Sequence, residues 1–201
     1  MSTEPSSPFT WQFNLGRIPV LVEPSFWVIT ALFGLMGGNR GWQSVVSWVA
    51  VVFVSILVHE LGHALMAMGL GCDVAAIRLY SGGGLTYPDR ALSRWRDVAV
   101  SAAGPLTGFL FGGLMVAINI LVPPKSLMGQ IILVDMMWVN FGWGIINLLP
   151  VPPLDGGHIA RGVLGPSRQR ISLWLGVLTS VAVVALALSF RTFFIAFMFG
   201  M

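Results

Sequence analysis

Residues 42–70 read WQSVVSWVAVVFVSILVHELGHALMAMGL, and from Ser44 to Val58 the stretch holds no charged side chain. At 1.5 Å per residue, a helix over it exceeds the ~30 Å hydrocarbon core of a bilayer. His59-Glu60-Leu61-Gly62-His63 sits near its end, and Ala64 to Leu70 is again uncharged. Histidines four apart share a helix face, so both imidazoles can reach one metal ion. The glutamate between them can then handle the proton of a water activated there. In a soluble helix the same five residues can be a surface pair. Here two of only three histidines and one of eight acidic residues share one turn of a membrane-length helix. Burying them is costly without partners or a metal, so the stretch points to a metal site.

The rest of the composition agrees with a bilayer. The 201 residues are 56% hydrophobic and only 9% charged, where soluble domains carry about a quarter. A net charge of +3 would suggest nucleic acid in a soluble protein, but here the basic residues fall in loops, where they set topology. No nucleic-acid partner is expected. Cys72 is the only cysteine, which excludes an intrachain disulfide, and nothing near it supplies a base.

Outward from the central stretch, residues 1–17 form a polar segment without the basic-then-apolar pattern of a signal peptide. Residues 18–201 form a single domain. Ile18 to Met36 is apolar apart from Glu23 and is broken by Pro19 and Pro24, so its helix starts near Ser25 and is short for a bilayer. Ile77 to Pro88 places short β-prone runs around Ser81-Gly82-Gly83-Gly84, which reads as a hairpin or a flexible loop. No Lys-Ser or Lys-Thr pair follows those glycines, so they do not form a phosphate loop.

Val98 to Val122 is a span with Gly104, Gly108 and Gly112 on one smooth face for helix packing. Gln130 to Leu149 is a further span, ended by Pro150-Val-Pro-Pro; Ile171 to Phe190 is a fifth, and Phe193 to Met201 begins a sixth. The expected fold is an all-α polytopic membrane protein of five to six transmembrane helices with a short membrane-associated β hairpin.

If each of the first five spans crosses, eight of the eleven Lys and Arg lie on the side of the N-terminus and the 71–97 and 150–170 loops. The positive-inside rule puts that side in the cytoplasm. His59 then lies within the membrane, nearer its cytoplasmic face. The compact chain points to a prokaryotic plasma membrane.

A catalytic zinc takes three protein ligands and keeps one position open. His59 and His63 are two, and Asp155 and His158 are the candidates for the third, both just beyond the proline-rich break. Asp135 lies on the far side and Glu60 serves as base. Asp155 is preferred, because an aspartate between Leu154 and two glycines can be carried close to a helix on extended backbone. Its alternative is a helix N-cap.

Leu57-Val58-His59-Glu60-Leu61-Gly62-His63-Ala64 and Asn147-Leu-Leu-Pro150-Val-Pro152-Pro153-Leu154-Asp155-Gly156-Gly157 resemble the two signatures of the site-2 protease family of intramembrane zinc metalloproteases. Ala103-Gly104-Pro105 resembles a further recurring element, and residues 77–88 resemble that family's membrane-embedded hairpin. The resemblance covers nearly the whole chain. It implies one Zn2+ per chain held by His59, His63 and Asp155, with Glu60 as general base and Asn147 binding the substrate carbonyl or oxyanion. It also implies regulated intramembrane proteolysis of single-pass transmembrane substrates in the lipid bilayer. Unlike larger relatives, these 201 residues are expected to hold no PDZ or CBS module.

The expected chemistry is zinc-assisted peptide hydrolysis. Asn140 lies seven residues before Asn147, on about the same helix face, where it supports Asn147 or simply packs. An unwound substrate helix must find new hydrogen-bond partners in the membrane, and a hairpin edge at 77–88 supplies them by strand addition. Proline at Leu79 or Leu85 is the corresponding test. Two rivals remain: a metal transporter or sensor has no use for Glu60 between its ligands, and a protease with a downstream glutamate ligand finds none after Glu60.

Overall fold

The computed structural model describes residues 7–36 and 41–189, and it begins with strands. β1 (Trp11–Leu15) and β2 (Ile18–Val22) form an antiparallel hairpin whose tight turn uses the positive φ of Gly16. Helix α1 (Pro24–Met36) follows, then α2 (Trp42–Gly69). β3 (Val74–Tyr80) and β4 (Gly83–Pro88) form a second hairpin. β2 pairs with β3 in parallel, giving one sheet in the order β1-β2-β3-β4.

The hairpin expected at 77–88 is therefore half of a four-stranded sheet, and the all-α description gives way to a helical protein with a small sheet. Pro19 did not break β2. It lies opposite Asn14, before the β3 ladder begins at Val20, so its missing N–H is not demanded there.

The sheet packs against the helices through one apolar face. Ile18, Val20, Val22, Ile77 and Leu79 are buried with Phe26 of α1 and with Val51, Val52 and Ile56 of α2. Trp27 and Phe53 stack at 5.4 Å beside this cluster, while Trp11 lies half in the open.

The remaining elements are α3 (Arg94–Leu121), α4 (Leu127–Trp138), a π-helical turn (Val139–Trp143), α5 (Gly144–Asn147), α6 (Asp155–Leu164), a 3-10 turn (Pro166–Arg168) and α7 (Gln169–Ser189). Among the described residues, four helical stretches are long and apolar enough to cross a membrane: Trp42–Gly69, Arg94–Leu121, Leu127–Asn147 and Pro166–Ser189. The protein is thus an integral membrane protein, but the count of five to six is not met there. α1 has 13 residues, or about 20 Å of helix, too short to cross alone. The start of a sixth helix at Phe193 lies outside the described residues.

Two small residues bring α2 and α3 together. A methyl group on Gly62 would fall 2.7 Å from the Ala103 carbonyl and 2.5 Å from Thr107 Oγ1. Close approach of backbones at small residues is how membrane helices gain dispersion contact without a hydrophobic driving force. α6 is tied to the start of α3 by Arg94, whose guanidinium donates to the carbonyls of Gly162 and, at 2.7 Å, Val163. These carbonyls end α6 and would otherwise lack partners.

Candidate metal centre

His59 and His63 lie on the face of α2 turned toward α3, and both are buried, as is Glu60. Their Nε2 atoms stand 3.0 Å apart. Asp155, in the first turn of α6, brings Oδ2 to 3.1 Å from His59 Nε2 and Oδ1 to 3.3 Å from His63 Nε2. Three donor side chains from two segments far apart in sequence thus converge on one point. Asp155 is not the helix cap: Leu154 holds that position, and no side-chain capping bond forms.

Carbonyl oxygen can only accept, so the 2.7 Å contact between His63 Nδ1 and the Val100 oxygen places the proton on Nδ1. In the neutral ring this leaves the lone pair on Nε2, the nitrogen that faces His59 and Asp155. This is the arrangement by which an outer partner orients a metal-binding imidazole.

The donor set fits zinc. Tetrahedral bonds of about 2.0 Å separate neighbouring ligand atoms by about 3.3 Å, close to the spacing of these three. A further sign is the space kept by Gly104. A methyl group there would lie 2.3 Å from His63 Nε2 and 2.8 Å from His59 Nε2. The glycine thus clears the site itself, which goes beyond the packing face read from the sequence. Gly108 and Gly112 do serve packing, against Asn140 and Phe141.

Asn147 reaches the cluster at the end of α5, with Nδ2 3.4 Å from His59 Nε2. Asn140 does not support it. Its Nδ2 donates to Ser55 Oγ at 2.9 Å and to the Met136 carbonyl at 2.8 Å. Asn140 itself lies in the π turn, which breaks the regular α-helical spacing between the two asparagines. His158 is also apart, with Nδ1 2.9 Å from an Arg161 nitrogen and 3.8 Å from Asp97 Oδ2. Asp135 is buried in α4 and takes no part in the donor cluster.

Sequence reasoning overlooked Thr86. Its hydroxyl lies 2.7 Å from Glu60 Oε2 and 3.1 Å from the Glu60 carbonyl. On the same strand face, a methyl on Gly84 would fall 2.4 Å from Glu60 Oε1. A single hydroxyl in a short strand carries no sequence signature, so only the fold reveals this contact.

Comparison with known proteins converges on one group. The family described as peptidase M50B-like matches residues 28–140, and peptidase family M50 matches residues 126–190. A relative from Synechocystis is 31% identical over 164 residues, covering 75% of this chain and 43% of that protein. A zinc metalloprotease of Methanocaldococcus jannaschii is 28% identical, covering 76% of this chain and 44% of its own. The chain therefore spans less than half the length of these relatives. The solved site-2 protease from Methanocaldococcus jannaschii shares the fold, with a TM-score of 0.67 at 20% identity over 95% of this chain and 90% of that one.

Proposed function

The chain belongs to the peptidase M50B-like family, and from that premise we propose that it is an intramembrane zinc endopeptidase cutting peptide bonds in or near transmembrane segments. The observation that carries this is the convergence of His59, His63 and Asp155 beside Glu60. Those three residues would hold one zinc ion. When bound, zinc supplies Lewis acidity, bringing the pKa of water toward 7 and polarising the scissile carbonyl. Glu60 takes the proton of the attacking water and returns it to the leaving amide nitrogen. The Asn147 amide donates to the developing oxyanion, a contact worth roughly 3 kcal/mol in other enzymes.

The substrate is a single-pass transmembrane protein whose helix unwinds locally and adds to the edge of the sheet. β4 is that edge, and it runs past Glu60. Leu79 lies on β3, between β2 and β4, so proline there would break the sheet itself; Leu85 on β4 is the informative position. The reading places the N-terminus and active-site side in the cytoplasm of a prokaryotic cell, in a regulated proteolysis step. Of the described Lys and Arg side chains, only Lys125 belongs to the opposite side.

Zinc content and cleavage of a transmembrane peptide in detergent test the proposal. Wild type should hold about one zinc and cut; Glu60→Gln should keep zinc and lose cleavage; Asp155→Ala should lose the metal. Leu85→Pro should slow cleavage with zinc retained. Zinc binding with transport and no cleavage by any form would favour a transporter instead.

A further inference from the structure

We infer that Thr86 is a positioning residue for Glu60, so that the strand receiving the substrate also fixes the base. The inference rests on the proposed hydrolysis for its meaning, but its geometry stands alone. A hydroxyl has one proton, and of its two contacts the carboxylate at 2.7 Å is the shorter. That distance is the usual one for a well-formed O–H···O hydrogen bond. Glu60 is buried, and Thr86 reaches its carboxylate from outside its own helix. β4 approaches it at two successive positions on one face. Thr86 grips Oε2, and Gly84 lies against Oε1 where any side chain would collide. One oxygen is fixed by a bond and the other by the bare backbone. The intervening Leu85 points away and is partly exposed.

An edge threonine can be present simply because β-branched residues suit strands. The two roles separate cleanly, since valine satisfies the strand and serine the bond. In Thr86→Val, kcat should fall about ten- to a hundredfold, as expected for losing a hydrogen bond to a charged group. KM should stay within about twofold, because no substrate contact is removed. Zinc content should be unchanged, and Thr86→Ser should recover most of the rate.

A second readout does not depend on turnover. The sequence has three glutamates, Glu4, Glu23 and Glu60, so 13C labelling of glutamate carboxyls gives three resonances, and Glu60→Gln identifies one. Thr86→Val should move the Glu60 resonance, Thr86→Ser should leave it near its place, and Glu23, paired with Arg78 at 3.5 Å, should not move. An unmoved Glu60 resonance, or an unchanged kcat in an active protein, overturns the inference; so does a rise in KM alone. If wild type neither holds zinc nor cuts, the proposed function falls, and the resonance alone decides whether Thr86 holds Glu60.

Discussion

Gly104 shows how one missing methyl group can decide a metal site. Its Cα faces both imidazoles, and a Cβ would lie 2.3 Å from His63 Nε2, inside any allowed contact. Neither imidazole can move aside freely, because His63 is anchored to the Val100 carbonyl and His59 stands against Asp155. Gly104→Ala should therefore cut zinc content from about one per chain to near none. Gly113→Ala, on the same helix with open space at its Cβ, should retain it. Metal analysis of the two purified variants gives the answer; equal zinc in both would refute the crowding argument. At this scale much was legible in advance, since His-Glu-x-x-His fixes its own geometry on a helix. Asp155 could be reasoned toward because its glycine neighbours permit close approach. Thr86 could not, because its partner is met only through the folding of a distant strand.

Elements bring the site's two halves together. α2 carries the histidines and α6 carries Asp155, and α3 packs against both. Arg94 at the start of α3 ties down the carbonyl end of α6. Arg94→Gln should leave the protein inserted but loosen α6, at a cost of about 1–3 kcal/mol for the lost charged hydrogen bonds. The effect would appear as faster zinc loss to a chelator. Release at the wild-type rate would show that α6 is held by apolar packing alone. The spans of α2, α3 and α7 could be read from apolar runs, to within a few residues. β1 and β2 could not, because the partner of β2 lies across two helices in sequence and Pro19 looked like a breaker. Local patterning does not reveal a parallel pairing of that separation. The π turn at Val139–Trp143 was equally hidden, and so were the partners of Asn140, Ser55 and the Met136 carbonyl.

For the whole molecule, the proposed zinc is a staple between the N-terminal half and α6. A ligand that binds only the folded state adds stability in proportion to the logarithm of its free concentration over its Kd. Zinc at a thousandfold excess over Kd contributes about 4 kcal/mol. Chelation should therefore lower the unfolding temperature in detergent as well as stop cleavage, and added zinc should restore both. A melting temperature indifferent to chelator in wild type would contradict a metal shared by α2 and α6. Asp155→Ala should already melt at the lower temperature and should not respond to chelator. The architecture also corrects the simple picture of successive crossings. The N-terminal hairpin leads directly into the short α1, with Glu23 N–H bonded to the Leu79 carbonyl at 2.9 Å where sheet and helix meet.

The parallel pairing of β2 with β3 sets an order of events as the chain is made. β1 and β2 can close on each other at once, but β2 keeps one edge open until Ile77 has left the ribosome. By then α2 has been synthesised, and its long apolar run can already enter the bilayer. The nascent protein thus acquires its histidines and glutamate before it has the strand that touches them, and Asp155 comes later still. Until that residue emerges, the growing chain holds two imidazoles of the proposed donor set without the carboxylate that completes it.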